Sequence, residues 1–388
     1  MNFTVVLEYT PRSPQDELPF TEETFCRRSI PFTFNIKEVG IALVELWDFG
    51  WDDGPFDEEL GDRSFERGRS HAKRKRRIIE TKIGPLVNAL RKMELEESMA
   101  NLNGKIALVT GGSRGLGQGI ALVLGEHGCT VYVTGRSTKE DSQRPEWPNA
   151  TIDKTAQLVT EMGGKGIPIQ CDHTDDDQVN GVYEQIKEEK GYIDILVNVI
   201  WGGYDNMENF SKPFWDQPNW RIDKMYQTGV RTSYTACRIG AKLMLPRKQG
   251  LIINITFWDQ DKYLEPVPQD FALTAMGRLM FAMAQELKPH NIASIALSPG
   301  FIRNEGMLSQ EEIRGEYQRP PVVSQNLPPK TESTQYAGRA VVALACDPDI
   351  ISRTGQVLNV GNLSREYGFT DIDGTQPPPY QIEWTGKP

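Results

Sequence analysis

The chain is poor in cysteine and histidine. Its five cysteines (Cys26, Cys129, Cys171, Cys237 and Cys346) are odd in number and widely scattered, and the four histidines share no ligand spacing with them. Neither a disulfide framework nor a zinc site is expected, and thiols so placed point to a reducing compartment. No apolar run is long enough to span a membrane, and Met1 to Arg12 lacks the basic start and long apolar stretch of a secretory leader. Basic residues are outnumbered, 43 Lys and Arg against 53 Asp and Glu, for a net charge of −10. No nucleic-acid partner is therefore expected. The expectation is a cytosolic protein without a membrane partner.

What is present changes character near Met99, so the chain is read as two parts, residues 1–98 and 99–388. Upstream, Pro11, Pro14, Pro19 and Pro31 sit in a polar setting. One apolar strand, Val39 to Trp47, an acidic loop and a long helix from about Ser64 to Met93 follow. Ile78, Ile79, Ile83, Leu86, Val87 and Leu90 recur at helical spacing, and the basic run Lys73 to Arg77 reads as the solvated side of that helix. From Lys105 onward, short apolar runs alternate with helical periodicity, the pattern of a parallel α/β sheet. Strands are expected at Lys105–Thr110, Thr130–Thr134, Ile167–Cys171, Ile193–Asn198, Leu251–Thr256, Ile292–Leu297 and Gln356–Val360. Helices are expected at Gly117–His127, Gln178–Lys190, Thr232–Leu245, Met276–Leu287 and Thr334–Ala345. Pro377-Pro378-Pro379 reads as an extended C-terminal arm.

The sharpest motif is Thr110-Gly111-Gly112-Ser113-Arg114-Gly115-Leu116-Gly117, which follows an apolar strand and opens a helix. Gly111 allows a tight turn, while Gly115 and Gly117 remove the Cβ atoms that would block a pyrophosphate and the helix–strand packing. The helix start then offers unpaired N–H groups and a positive dipole end to phosphate. With the strand–helix alternation, this predicts a Rossmann fold: a doubly wound, seven-stranded parallel sheet preceded by a strand–helix extension. An acid at the end of the second strand would hydrogen-bond the ribose 2′-OH of NAD. Here that strand ends Val133-Thr134-Gly135-Arg136-Ser137, with no acid, and Arg136 and Arg114 suit the 2′-phosphate of NADP(H).

These residues resemble the short-chain dehydrogenase/reductase family. Asp172 stands where the family has an adenine-contacting aspartate, and Leu196-Val197-Asn198 matches the start of its Asn-Asn-Ala-Gly motif, with Val199, Ile200 and Trp201 in place of the rest. Pro299-Gly300 matches the turn beside the nicotinamide, with Asn304 where Thr is usual. Trp220, Gly240 to Met244, Asp347 to Ile350 and Arg365 to Gly374 are similar to one branch, that of dehydrogenase/reductase member one. The resemblance covers Asn101 to about Pro379. It implies a small organic substrate reduced as a carbonyl or oxidised as an alcohol, and a homo-oligomer built through Thr232–Leu245 and Gln269–Leu287. It implies cofactor contacts from Thr110, Gly111, Ser113, Arg114, Gly115, Leu116, Gly117, Arg136, Ser137, Asp172, Asn198, Pro299 and Gly300.

The same resemblance implies a serine, a Tyr-x-x-x-Lys pair and a helix asparagine. In this chain those positions hold Phe257, Gln269, Leu273 and Gly229, and no Tyr-x-x-x-Lys occurs between Thr256 and Pro299. A phenol near pKa 10 exchanges protons poorly at neutral pH without such a lysine. Three readings stay open. The chain is a silent NADP(H)-binding protein; or a reductase with substitutes, Thr256 positioning substrate and Tyr263, Lys262 or Tyr226 moving the proton; or a lyase or isomerase on the same scaffold. An aromatic set, Trp201, Tyr204, Phe257, Trp258 and Tyr263, is a candidate substrate-pocket lining. Residues 38–97 resemble the opening of isochorismatase-like cysteine hydrolases, with Glu45 at the strand end where Asp is usual. That match stops before a nucleophilic cysteine, and Cys26 precedes the strand, so no hydrolase activity is expected.

Overall fold

The computed structural model describes the backbone of residues 2–9 and 28–35. It describes residues 102–381 apart from 144–145, 206–208, 258–261, 319–320, 325–326 and 328–329. The chain divides into two compact units, Met1–Leu86 and Val87–Pro388. In the first, β1 (Asn2–Tyr9) and β2 (Arg28–Asn35) form an antiparallel pair with Asn2 opposite Asn35. Neither strand was expected from the proline-interrupted sequence. The expected strand at Val39–Trp47, the helix at 64–93 and the hydrolase-like resemblance of 38–97 lie outside the described residues.

The second unit alternates strand and helix. In chain order come β3 (Ile106–Thr110), α1 (Gly115–Glu126), β4 (Thr130–Gly135), α2 (Ile152–Glu161), β5 (Lys165–Gln170), α3 (Asp176–Lys190) and β6 (Ile195–Asn198). Then come α4 (Asn219–Met225), α5 (Thr232–Met244), β7 (Gly250–Ile255), α6 (Val267–Leu287), β8 (Ile292–Ser298) and β9 (Phe301–Ile302). Last are α7 (Gln310–Glu316), β10 (Thr331–Glu332), α8 (Thr334–Cys346), β11 (Val357–Asn359) and α9 (Val360–Tyr367). Seven strands form one sheet in the order β11-β8-β7-β6-β3-β4-β5, all neighbours parallel. The order reverses between β3 and β6, the position where open α/β sheets bind ligands beyond the strand ends. The short β9 and β10 pair separately, in parallel.

Strand periodicity builds the three layers. In β3, Ala107 and Val109 join one buried cluster and Ile106 and Leu108 the other; Val131 and Val133 part in the same way from Tyr132, and Ile195 and Val197 from Leu196. Successive side chains on a strand point to opposite faces, so a run apolar at every position needs cover on both sides. One face is covered by α1 and α8, through Ile120 to Leu124 and Ala340 to Leu344. The other is covered by α3, α5 and α6, through Val179, Val182, Ala236 and Met280. Five helices start with a side-chain cap, from Thr151, Asp175, Ser309, Ser333 and Asn359. Such caps satisfy N–H groups that have no partner within the helix. The first, α1, has none: Arg114 stands at its cap position and its side chain does not cap the helix.

Helices α1 and α8 meet at glycines. A Cβ at Gly119 would lie 2.4 Å from the Thr334 side chain, and one at Gly338 would lie 2.8 Å from Val123. Overpacking so tight a contact costs about 1–3 kcal/mol. Gly119→Val is expected to lower stability by that amount, read from the midpoint of urea unfolding; a midpoint equal to that of the parent chain would refute the close approach.

Candidate cofactor and active site

The site forms at the carboxyl ends of β3, β4, β6, β7 and β8. Beyond β3 the chain turns at Gly111, whose φ is +72°, a conformation that side chains other than glycine adopt with strain. A Cβ at Gly117 would sit 2.2 Å from the Gly111 carbonyl oxygen, so the first turn of α1 packs directly on the strand end. Thr110 and Asn198 lie behind this turn, fully buried. The Thr110 hydroxyl donates to Asn198 Oδ1 at 3.3 Å, and Asn198 Nδ2 donates to Asn254 Oδ1 at 2.6 Å. Both were expected as cofactor contacts; their side chains tie together the ends of β3, β6 and β7. Leu116 is half-buried against the core.

On the β4 side, Ser137 is buried and its hydroxyl accepts the Gln143 N–H at 3.2 Å. Arg136 is exposed and lies 3.9 Å from Asp172, so the residue expected to grip phosphate sits beside the residue expected near adenine. Burial raises the Asp172 carboxyl, but hydrogen bonds from Thr174 and the charges of Arg136 and His173 outweigh it and leave it lowered. The Arg114 guanidinium stacks 4.7 Å over the Trp147 ring. The backbone of Ser113 belongs to the same glycine turn, and its side chain packs where a Cβ on Gly135 would come within 3.6 Å. The residues are suited to a dinucleotide: a cradle that Cβ atoms would fill, a helix start and two arginines.

Relay positions gather on the other half. Gln269 and Leu273 lie on the first turns of α6 and are buried. Gln269 Nε2 donates to the Glu265 carbonyl at 3.3 Å, while Oε1 is buried and makes no hydrogen bond among the described residues. Thr256 is buried and its hydroxyl donates to the Leu273 carbonyl at 2.8 Å. The expected substrate-positioning hydroxyl is thus committed to the backbone of α6. Tyr263 is 43% exposed, and burial, then the charges of Glu265 and Asp270, push its phenol upward, away from proton exchange at neutral pH. Tyr226 opens a π-helical turn, Tyr226–Arg231, that continues into α5. Gly229 in that turn makes room for Trp201, whose ring would meet a Cβ there at 2.8 Å.

Among the described residues the aromatic set makes two separate contacts. Trp201 packs on Tyr204 at 6.2 Å, whereas Phe257 packs on Tyr380 of the C-terminal arm at 5.4 Å, and Tyr380 also contacts Phe301 at 6.2 Å. Trp258 lies outside the described residues. Tyr380 carries no local sequence signal, since only the folding back of the arm places it there. The arm is held by a hydrogen bond from Tyr336 Oη to the Pro377 carbonyl at 3.2 Å.

Behind the Pro299-Gly300 turn lies a buried ionic group. Arg303 pairs with Glu316 at 2.7 Å and with Asp371 at 3.4 Å. Glu332 lies beside them, its Oε1 accepting the Gly300 N–H at 2.9 Å. Burial pushes the Glu332 carboxyl up to about 8, with Asp371 adding to the rise and the Gly300 bond and Arg303 opposing it. The described cysteines Cys129, Cys171, Cys237 and Cys346 are free, and burial pushes the first three thiols up to about 12. Among the described residues no cluster of metal-ligating side chains occurs.

Comparison with known proteins decides the family. The family profile described as short chain dehydrogenase matches residues 105–313. The chain belongs to this family. It is 36% identical over 279 residues to Dehydrogenase/reductase SDR family member 1 of Homo sapiens, covering 71% of this chain and 85% of the human protein. The Mus musculus protein of the same name is 34% identical over 280 residues. A short chain dehydrogenase structure from Mycobacterium thermoresistibile superposes with a TM-score of 0.60 at 25% identity, over 74% of this chain and 97% of that one. A 7 alpha-hydroxysteroid dehydrogenase complexed with NADH and 7-oxo glycochenodeoxycholic acid shares the fold, with a TM-score of 0.53 at 22% identity. The Rossmann-type α/β architecture and an oxidoreductase family with a nicotinamide cofactor follow, and no described helix is long and apolar enough to cross a membrane.

Glu332 gives this short chain dehydrogenase a pH signature. The folded chain keeps a proton that the unfolded chain releases near 4.5, the ordinary value for this carboxyl. Stability therefore falls as pH rises from that value toward about 8, and the contribution is fully present only below it. Glu332→Gln, which mimics the protonated group, is expected to flatten that decline in urea unfolding measured between about pH 5 and about pH 9. An unchanged slope would show that Glu332 is ionised in the folded chain.

Proposed function

We propose that the second unit binds NADP(H) and interconverts a small organic carbonyl and its alcohol, at a rate limited by proton transfer because the usual relay is replaced. The observation that carries this is the buried pair Gln269 and Leu273 at the relay positions of α6. When bound, the nicotinamide would supply or accept the hydride. Arg114 and Arg136 would hold the 2′-phosphate, the glycine turn the pyrophosphate, and the Pro299-Gly300 turn with Asn304 the carboxamide side. The unpartnered Gln269 Oε1 accepts hydrogen bonds and so suits a substrate or ribose hydroxyl. An amide orients such a group but exchanges no proton, so the alkoxide proton must come from water. Free, buried thiols support a reducing, cytoplasmic setting. Exposed Tyr234 on α5 with Phe271 and Phe281 on α6 supports self-association through those helices.

A second reading rests on Tyr380, whose ring lies against Phe257: the C-terminal arm brings a phenol to the serine position. Under it, Tyr380→Phe lowers turnover and leaves dinucleotide affinity unchanged. For the first reading the test is the double variant Gln269→Tyr with Leu273→Lys. It is expected to raise turnover of small carbonyls with NADPH by about 10²–10⁴, the scale of general acid–base help. Titration calorimetry should show NADPH binding more tightly than NADH, with the difference lost in Arg136→Ser. Absence of binding by either dinucleotide would end the proposal; equal turnover in parent and double variant would remove the relay argument.

A further inference from the structure

The helix start that the glycine turn prepares for phosphate already holds an anion of the chain's own. Glu305 follows Asn304 in the loop beyond β9, and its Oε1 accepts the Gly115 N–H at 2.8 Å. Gly115 is the first residue of α1, which has neither a side-chain cap nor an acidic residue in its first turn. Glu305 Oε2 is buried, makes no hydrogen bond among the described residues, and lies 3.7 Å from where a Cβ on Gly115 would be. The carboxylate does here what an acidic cap does elsewhere, but it reaches α1 across 190 residues of sequence.

Its position is held from one side. Arg303, two residues earlier, is fixed in the buried group with Glu316 and Asp371. Past Glu305, the turn closes through Met307 N–H to the Asn304 carbonyl at 2.8 Å and Gly306 N–H to Asn304 Oδ1 at 2.9 Å. The carboxylate is thus carried by a short turn on an anchored stem.

We propose that Glu305 is an internal competitor for the pyrophosphate: a dinucleotide must displace its carboxylate from the α1 start, which sets the affinity of the site. Two anions at one N–H group repel, and the N–H cannot serve both. The carboxylate stabilises α1 until a dinucleotide arrives and turns outward when it binds, shifting the Asn304–Leu308 turn that flanks the carboxamide side. This rests on the proposed dinucleotide site.

Titration calorimetry with NADPH on the parent chain, Glu305→Gln and Glu305→Ala tests it, with adenosine 2′-monophosphate as the second probe. That nucleotide carries the phosphate for Arg114 and Arg136 but no pyrophosphate. Glu305→Ala is expected to bind NADPH roughly tenfold tighter, the scale of one charge removed from a helix end. Glu305→Gln, which keeps the acceptor and loses the charge, should fall between, and adenosine 2′-monophosphate should bind all three chains equally. Tighter NADPH binding by either variant over a parent that binds weakly or not at all supports the competition. NADPH binding unchanged or weakened in both variants, with the parent binding, overturns it and leaves the dinucleotide site standing. Failure of all three chains to bind either probe overturns the site itself.

Discussion

Everything in the second unit depends on the close approach of α1 to the end of β3. The strand is buried on both faces and the helix returns over one of them, so the turn between them must be tight. The Gly111 carbonyl lies where a side chain on Gly117 would begin, and α1 in turn lies against α8 at Gly119 and Gly338. Small residues at successive contacts bring the helix axis close enough for its N–H groups to reach past the strand end. No side chain of the turn itself covers the helix start; the group that meets it is the Glu305 carboxylate, brought from the loop beyond β9.

The two halves of the site have diverged in kind. The nucleotide half keeps the glycine turn, the arginines and a strand end without an acid. At the positions where the resemblance implies a hydroxyl, a phenol and an amine, the chain holds Phe257, Gln269 and Leu273, and Gln269 and Leu273 are buried. Gln269 donates to the Glu265 carbonyl just ahead of α6, Thr256 bonds the backbone at Leu273, and Phe257 meets Tyr380 of the tail edge-on. A lysine or phenol buried at these positions without a partner would be unfavourable, whereas an amide and an alkyl side chain bring no charge to bury.

Much of this architecture was legible in the sequence, for a physical reason. Central strands covered on both faces are continuous apolar runs, so β3, β4, β6, β7 and β8 appear within one or two residues of their expected places. At the sheet edge, half-exposed β5 begins at Lys165 rather than Ile167, because Lys165 and Gly166 add no apolar signal. Helix α6 begins at Val267, nine residues before the expected Met276, since Pro266 and Pro268 hide a helix start that proline tolerates well. Helix α2 went unexpected because its buried residues, Ile152, Thr155, Ala156 and Val159, include only two with large apolar side chains. The glycine turn was equally readable, being a local pattern, as is the absence of Tyr-x-x-x-Lys between Thr256 and Pro299. Glu305 and Tyr380 were not: each reaches its place through tertiary contacts that no spacing announces.

The buried guanidinium of Arg303 is shared between the loop beyond β8 and the tail, because Asp371 comes from beyond α9. Asp371 also accepts the Ser333 N–H at the start of α8 at 2.9 Å. The stretch behind the Pro299-Gly300 turn, the start of α8 and the tail around Asp371 are therefore one electrostatic body. A chain cut short before Asp371 would keep the Arg303–Glu316 pair but lose the second anion at that guanidinium, together with the acceptor for the Ser333 N–H.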